Sequence, residues 1–422
     1  MEQKLIKEWL GKNKGNAVKL LRKLIQERSI QGRESSAQAV VIEACRELGL
    51  EIDIWEPDIK EMSAHENFVS TRDTFEDSPN VVAIWRGTGG GRSIILNGHI
   101  DVVPEGDILQ WDCDPYEGKV QDGKVYGRGS TDMKGGNVSL LLAINALKSI
   151  GVKLKGDVIF QSVIEEESGG AGTLAAILRG YSADAVLIPE PTNMKIFPKQ
   201  QGSMWFRVKV KGKSAHGGTR YEGVSALEKS ILVIRRIQEL ETKRNERVED
   251  PLFKDIPIPL PINIGKVEGG NWPSSVPDLV VLEGRIGVGP EETIEDVKQE
   301  LAASLRSLKE VDTWFETHPV ELEWFGAQWV PGTVEVNHPF VKVIDHAYKE
   351  VVGKPAIVEA SPWGTDGGLF TQLCNIPTVV FGPGTTEVAH YPNEYISIDQ
   401  MMNAAEIIAL VLMDWCEISE EA

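Results

Sequence analysis

Short apolar runs that alternate with helical patterns are the feature of this sequence that most constrains its fold. Four of these runs have the length of buried strands: 81–85, 93–97, 157–164 and 185–188. Helical spacing of apolar residues appears between and after them, at 136–147 and 171–178. This alternation favours an α/β domain with a mostly parallel sheet covered by helices. Two further helices are predicted ahead of the sheet, over 4–26 and 35–48, with the Ser35 hydroxyl capping the second.

The pattern changes near Gln200 and changes back near residue 327. Residues 204–210 alternate between apolar and polar, as a strand with one wet face does. A helix, two strands, a second helix and a last strand follow: 224–244, 262–267, 279–287, 294–308 and 320–324. This β-α-β-β-α-β order is ferredoxin-like. We therefore expect a small α+β domain at 200–326, inserted into a discontinuous domain of residues 1–199 and 327–422.

Charge and cysteine content narrow the class of protein. Lys and Arg total 44 against 63 Asp and Glu, and the net charge of −19 argues against nucleic acid or an anionic membrane as a partner. The four cysteines form no Cys-x-x-Cys pair, which favours reduced thiols and a cytoplasmic location. The charged N-terminus predicts no signal peptide, and no apolar run has the length of a membrane span.

Histidines and acidic residues cluster just past the predicted strands and in glycine- or proline-rich turns. The set comprises His99 and Asp101, Asp132, Glu165, Glu166 and Glu167, Glu190, and His390. Ligands gather at the carboxyl ends of parallel strands, so we expect these side chains in one site. Each motif alone also fits a structural role, such as a helix cap, a solvated acidic turn or a surface histidine. Their joint occurrence favours a two-metal centre with a spare carboxylate, as in a hydrolase that activates water.

The residue types suggest which role each side chain would have in such a metal centre. A neutral imidazole at His99 suits zinc, and Asp101 can accept its other ring N–H. The two oxygens of Asp132 can bridge two metals. Strand periodicity would put Glu165 and Glu167 on one side and Glu166 on the other, whereas a loop would relax this separation. One acid of this triad can then bind metal while a neighbour faces the substrate.

The chain resembles the zinc aminoacylase superfamily, which includes acetylornithine deacetylase, succinyl-diaminopimelate desuccinylase and a glutamate carboxypeptidase. The resemblance covers essentially the whole chain. It is most specific from 98 to 136 and extends to the motifs at 212–216 and 364–368. It implies a zinc-peptidase-like catalytic domain and an inserted lid that also serves dimerisation.

The resemblance also implies roles for the site residues. His99 and Glu190 would bind one metal, Glu167 and His390 would bind the other, and Asp132 would bridge both. The peptide bond from Asp132 to Met133 would be cis. The metals would be two divalent ions, zinc or alternatively cobalt.

Three further catalytic roles follow from the same resemblance. Asp101 would orient His99, and Glu166 would be the general base that moves a proton from water to the leaving nitrogen. His216, on the inserted domain, would reach the active site of a neighbouring subunit in a homodimer and stabilise the developing oxyanion.

The substrate-binding residues implied by the resemblance are Arg285, Ser274, Trp272, Trp363 and Asp366. Arg285 matches an arginine that holds a substrate carboxylate. Ser274 stands where many relatives have an asparagine that binds the substrate. Trp272 and Trp363, beside the same motifs, could stack on a planar ring, although packing is the commoner role of such residues.

These features favour a metal-dependent amidohydrolase that deacylates a small N-acyl compound, as acetylornithine deacetylase does. An N-formylaminopyrimidine deformylase and a metallo di- or tripeptidase share the same catalytic residues and remain alternatives. From a different class, the chain could be a non-catalytic metal-binding module that has kept the fold.

Overall fold

The structure is a computed structural model that describes residues 2–420. It divides into two compact units. The catalytic unit comprises Met1–Lys199, Gly332–Glu359 and Asp366–Ala422, as far as these ranges are described. The inserted unit comprises Gln200–Pro331 and Ala360–Thr365. It extends past residue 326 because its last strand continues to Trp329.

The helices of the described chain are α1 (Glu2–Gln26), α2 (Ser35–Glu47), α3 (Ile59–Met62), α4 (Gly135–Ser149), α5 (Ala171–Leu178), α6 (Ala226–Asn245), α7 (Ile294–Arg306), α8 (Trp314–Thr317), α9 (Pro339–Val352), α10 (Gly367–Cys374) and α11 (Ile398–Trp415).

The strands are β1 (Glu51–Trp55), β2 (Asn80–Trp85), β3 (Ile94–His99), β4 (Lys119–Gln121), β5 (Lys124–Tyr126), β6 (Val158–Val163), β7 (Val186–Ile188), β8 (Ile196–Gln200), β9 (Gly202–Lys211), β10 (Ile262–Gly269), β11 (Leu279–Val288), β12 (Glu321–Trp329), β13 (Gly332–Thr333), β14 (Val358–Ser361), β15 (Thr378–Val380) and β16 (Tyr395–Ser397).

The catalytic unit is built on a nine-stranded sheet with the order β1-β2-β6-β3-β7-β15-β8-β13, and β14 pairs with β8. The central strands β6, β3, β7 and β15 are parallel, and antiparallel strands flank them on either side. Strands β3, β6 and β7 are buried along their whole length, as the uninterrupted apolar runs predict. This confirms the predicted α/β class and its mostly parallel central sheet.

One predicted helix cap is wrong. Helix α2 does begin at Ser35, but the residue before it, Glu34, already has helical backbone angles and makes no side-chain cap. Ser35 therefore lies inside the first turn, where its hydroxyl cannot cap the helix. The carboxylate of Glu34 is instead bonded to Gly32 N–H, Arg72 and Ser78.

The inserted unit is a four-stranded antiparallel sheet in the order β10-β11-β9-β12. One face of β9 carries Phe206 and Val208, which pack with Leu282 and with residues of α6 and α7 in an apolar core. The other face carries Trp205 and Arg207, which are partly exposed. The strand order and the two helices on one face are those of a ferredoxin-like domain.

Within residues 2–420, none of the helices combines the length and the apolar character that a bilayer crossing requires.

Candidate metal centre

The centre of the sheet positions the first group of site residues. His99 is the last residue of β3, which lies between β6 and β7. Glu166 and Glu167 follow the end of β6, and Glu190 follows the end of β7. Since these strands are parallel, their carboxyl ends meet at one edge, and the structure brings the side chains together there.

Two loops deliver the remaining candidate ligands, and the distances place Asp132 between the two histidines. Oδ1 of Asp132 is 3.1 Å from Nε2 of His99, and Oδ2 is 3.1 Å from Nε2 of His390. His390 Nε2 also lies 3.1 Å from the Glu167 carboxylate, and His99 Nε2 lies 3.6 Å from Glu190 Oε1. The peptide bond from Asp132 to Met133 is cis, as the resemblance implies.

This donor set fits two metal ions. Two ligand atoms that are each about 2.0–2.2 Å from one zinc ion lie roughly 3.3 Å apart in a tetrahedral site. The separations of 3.1–3.6 Å around His99 and His390 are of this size. Ligand atoms of His99, Asp132 and Glu167 lie within 4.8 Å of one another, and so do those of His99, Glu166 and Glu190. The arrangement allows Asp132 to offer one oxygen to each position.

The crowding of carboxylates at this edge also calls for cations. Burial raises the pKa of Glu190 well above its usual 4.5, and the charge of Asp132 raises it further. Burial likewise raises the pKa of Glu166 well above 4.5. The charge of Glu167 is the main cause that raises the pKa of His390 to about 12. Raised pKa values mean that these groups hold protons more tightly. Divalent ions bound among the acids would compensate their negative charge in place of those protons.

The three adjacent acids do not separate as strand periodicity predicted. Glu165 has a left-handed backbone (φ 61°), which breaks the strand, and its fully buried carboxylate turns away to Arg72, 3.1 Å away. Glu166 and Glu167 both reach the metal centre, and Glu166 Oε2 lies 4.0 Å from His99 Nε2. The Glu166 carboxylate thus lies beside the candidate ligands.

Asp101 contacts both His99 and the acidic triad. Its backbone carbonyl lies 2.8 Å from Nδ1 of His99, whereas its carboxylate oxygen is 3.6 Å from the same atom. The carboxylate accepts the backbone N–H groups of Glu166 and Glu167, at 3.2 and 3.1 Å. Asp101 therefore orients His99 through its main chain and fixes the turn that carries the other two side chains.

Three predicted residues of the inserted unit lie in two paired loops. Gly217 N–H donates to the Ser274 carbonyl at 2.7 Å, so the loop of His216 runs beside the loop of Trp272 and Ser274. His216 is exposed, and its Nδ1 accepts the Gly218 N–H. Trp272 is 69% exposed. The pairing joins polar and aromatic side chains on one surface of this unit.

Arg285 and Trp363 also belong to the inserted unit. Arg285 lies on β11, opposite Trp205 of β9 and Asn263 of β10, on the sheet face away from the apolar core. Burial lowers the pKa of its guanidinium, and among residues 2–420 it has no carboxylate or hydrogen-bond partner. Trp363 is partly buried.

Asp366 lies in the catalytic unit, at the start of α10, and is only 1% exposed. One carboxylate oxygen accepts the Thr173 hydroxyl at 2.6 Å, and Thr173 also accepts a hydrogen bond from Asn97 on β3. Burial raises the pKa of Asp366 to about 6. These contacts place it in a buried polar network of the core, and a direct contact with substrate stays a prediction.

Sequence reasoning missed three ion pairs, formed by two arginines next to the site. Arg72 bonds Glu34 and Glu165, and Arg128 bonds Glu394. Arg128 lies inside the glycine-rich motif of Asp132, but nothing in the sequence near it marks its partner. Burial of a charged residue is the signal that identifies these pairs, and it becomes visible only in the structure.

Fold and site together define a metal-dependent hydrolase whose centre lies at the carboxyl edge of an α/β sheet. A model of peptidase family M20/M25/M40 matches residues 95–414, well over half of the chain. The protein belongs to this family and is an amidohydrolase.

Two relatives and one solved structure illustrate the likeness. An N-formyl-4-amino-5-aminomethyl-2-methylpyrimidine deformylase of Halalkalibacterium halodurans is 31% identical over 406 residues, which is 91% of this chain and 90% of that protein. An acetylornithine deacetylase of Edwardsiella ictaluri is 27% identical over 358 residues, 82% of this chain and 85% of that protein. The structure of a di-peptidase from Saccharomyces cerevisiae has a TM-score of 0.78 at 17% identity and covers 100% of both chains, so it shares the fold.

Proposed function

We propose that this protein removes the formyl group from an N-formylated aminopyrimidine by hydrolysing the amide bond. The observation that carries the proposal is the likeness to the Halalkalibacterium halodurans protein, which is named for this activity and aligns with 91% of this chain. We therefore prefer the N-formylaminopyrimidine as substrate to the small N-acyl compound that the sequence motifs alone favoured. The reaction converts amide and water into formate and an amine.

His99, Asp132, Glu167, Glu190 and His390 would hold two divalent ions, of which zinc fits the donors best. Bound at these residues, the ions would make water nucleophilic near neutral pH and stabilise negative charge on the carbonyl oxygen. The donor distances and the crowding of acids support this assignment.

Glu166 is the proposed general base. It takes a proton from the attacking water and delivers it to the leaving nitrogen, so the amine departs protonated. Burial raises the pKa of Glu166 well above 4.5, towards the range in which a carboxylate can both accept and return a proton near neutrality. The hydrogen bond from Glu166 N–H to Asp101 fixes the backbone from which the base extends.

The inserted unit supplies the proposed contacts to the pyrimidine. Trp272 offers an exposed indole face on which a planar ring can stack, and Ser274 lies two residues farther along the same loop. Ser274 replaces the asparagine that binds substrate in many amino-acid-directed relatives, which supports a substrate without an amino-acid carboxylate. His216, held beside this loop, would stabilise the oxyanion in the active site of a second subunit of a homodimer.

A second candidate function is deacylation of an N-acyl amino acid, and one observation favours it. The half-buried guanidinium of Arg285 has no partner among residues 2–420, although burying an unpaired charge is costly. A substrate carboxylate would provide that partner.

Hydrolysis of a substrate panel separates the two candidates. With zinc or cobalt added, we expect kcat/KM for an N-formylaminopyrimidine to exceed that for N-acetylornithine, N-succinyl-diaminopimelate and dipeptides by at least about 100-fold. Arg285→Gln should leave the pyrimidine reaction nearly unchanged. If the N-acyl amino acids are better substrates and Arg285→Gln lowers their kcat/KM by about 10- to 100-fold, the second candidate replaces the first.

Metal removal tests the centre itself. Dialysis against a chelator should abolish turnover and lower the free energy of unfolding, by about 2.7 kcal/mol if free metal had been at about 100 times its Kd. Zinc or cobalt should restore both quantities. Chelator-treated protein that keeps its activity and melting temperature would contradict a metal-dependent mechanism.

A further inference from the structure

A buried ion pair links the two loops that carry Asp132 and His390. Arg128 and Glu394 are 1% and 0% exposed, and Nη1 of Arg128 lies 2.7 Å from Oε2 of Glu394. The two residues are 266 positions apart in the sequence. Neither side chain reaches solvent, so neither can bind substrate directly.

The Glu394 carboxylate holds the backbone of the Asp132 loop. One oxygen accepts the N–H of Thr131 at 2.9 Å and that of Asp132 itself at 3.2 Å. The other accepts the Gly129 N–H at 3.1 Å, beside the bond from Arg128. Three backbone donors and one guanidinium thus converge on a single carboxylate, which fixes the loop from Gly129 to Asp132.

The Arg128 guanidinium holds the backbone of the His390 loop. Nη2 donates to the carbonyl of His390 at 3.3 Å, and Nη1 donates to that of Tyr391 at 3.4 Å. The guanidinium also lies over the Trp111 ring, 5.2 Å from its centre. His390 has a left-handed backbone (φ 63°), a conformation that a side chain of this size adopts rarely and that surrounding contacts must hold.

The other proposed metal position has a different support. His99 is the last residue of β3, and Glu190 follows β7, which pairs with β3. Sheet hydrogen bonds therefore fix the separation of these two ligands. The separation of Asp132 and His390, which come from irregular segments, depends on the ion pair between their loops.

We propose that Arg128 and Glu394 are positioning residues that set the metal affinity of the position formed by Asp132, Glu167 and His390. The inference rests on the two-metal centre of the proposed function. Second-sphere partners of metal ligands commonly change affinity by about 10- to 100-fold when they are replaced. The position of His99 and Glu190 shares Asp132, but it should change less, because the sheet fixes its other two ligands.

Titration of the metal-free protein with cobalt tests this inference, with calorimetry and the visible absorption of bound cobalt as readouts. We expect the wild-type chain to take up two ions. In Glu394→Gln the ion at the position of His390 should lose about 10- to 100-fold in affinity, and the other ion should lose clearly less. His390→Ala, which removes a ligand, should weaken the same one of the two binding steps, and adding Glu394→Gln to it should cause little further loss.

Two more variants distinguish a local effect on the metal position from a general loss of folding. Arg128→Lys keeps a charge for Glu394 but loses the forked donors to the two carbonyls, so it should weaken the same ion in a folded protein. Glu292→Gln removes one of the two carboxylates that pair with the buried Arg244 of the inserted unit, and it should leave both cobalt affinities unchanged.

The outcomes are distinct. Wild-type affinity for both ions in folded Arg128→Lys and Glu394→Gln, or an equal loss at both, would overturn the inference while leaving the two-metal centre intact. A wild-type protein that binds fewer than two ions would overturn the proposed centre and this inference with it.

Discussion

The two units of the chain place their charges differently. The inserted unit packs an apolar core between its sheet and α6 and α7, and it keeps cross-strand ion pairs such as Arg207–Glu283 partly exposed on the other face. Its one fully buried charged side chain among the described residues is Arg244, which pairs with two partly exposed glutamates. The catalytic unit buries acids and bases in its interior: Glu34, Asp101, Arg128, Glu166, Glu190, Asp366 and Glu394. Burying such groups opposes folding unless partners compensate. Glu34 and Glu394 have an arginine partner, whereas Glu166 and Glu190 lie among other acids, whose charges raise their pKa values further.

The sharpest test of this contrast is to remove one buried acid at the centre. Glu166→Gln should lower kcat by about 100- to 10,000-fold, because it removes the proposed general base, and bound metal should be retained. Burial raises the pKa of Glu166, so its carboxyl group weakens the metal-free fold increasingly as the pH rises above about 4.5. The free energy of unfolding of the metal-free variant at pH 8 should therefore equal or exceed that of the wild type.

The adjacent acid provides the matched control for that experiment. Glu165 is fully buried, yet it accepts hydrogen bonds from Arg72, Gln31 and Ser168. Glu165→Gln removes a compensated charge and leaves Arg72 with one carboxylate fewer, so chemical denaturation should show a less stable protein. If Glu166→Gln destabilised the metal-free fold as much as Glu165→Gln, the buried charges of the two acids would be equally well offset by their partners.

The apolar core of the inserted unit predicts a purely structural effect. Leu282 is 0% exposed on β11, and Leu282→Ala should cost about 2–5 kcal/mol in the free energy of unfolding while cobalt affinity stays unchanged. Leu279 lies on the same strand but is 43% exposed, so Leu279→Ala should cost less than about 0.5 kcal/mol. A large loss of cobalt affinity in Leu282→Ala would mean that the two units are not energetically separate.

Much of this fold could be predicted because its strands are continuous apolar runs or clear alternations. Strands β2, β3, β6 and β9 all lie close to their predicted bounds. Strand β8 (Ile196–Gln200) was missed, because Pro198 in its middle is typical of a turn or an edge. Strand β1 (Glu51–Trp55) is a short edge strand with little buried surface, so its apolar signal is weak.

The candidate site was predictable to the extent that its residues stand at strand ends. His99 and Glu190 could be placed from local sequence, because β3 and β7 end there. The ion pair between Arg128 and Glu394 could not be predicted, since no local sequence pattern indicates a contact between residues 266 positions apart. Strand periodicity does not describe Glu165, because the left-handed backbone of this residue ends the strand, and no residue near it in the sequence indicates that conformation.

The smallest effect is expected on the exposed face of the inserted sheet, and its pH dependence should have the opposite sign to that of Glu166. Arg207 donates to Glu283 at 2.7 Å, and this hydrogen bond is the main cause that lowers the pKa of Glu283 below its usual 4.5. The stabilisation is thus present above about pH 4.5 and is lost as the pH falls through the lowered pKa. Glu283→Gln should cost at most about 1 kcal/mol at neutral pH.

A double-mutant cycle with Arg207→Gln isolates this pair, and unfolding in about 1 M salt should shrink its coupling because the screening length falls to about 3 Å. Lys266 lies 3.5 Å from the other oxygen of Glu283, so part of the effect should persist in Arg207→Gln. A coupling as large as the loss in Leu282→Ala, or one that is indifferent to salt, would mean that this face depends on buried charge as the catalytic unit does. In that case both units would depend on buried charge for stability. The buried acids of the catalytic unit would then need no explanation from the chemistry of the metal centre.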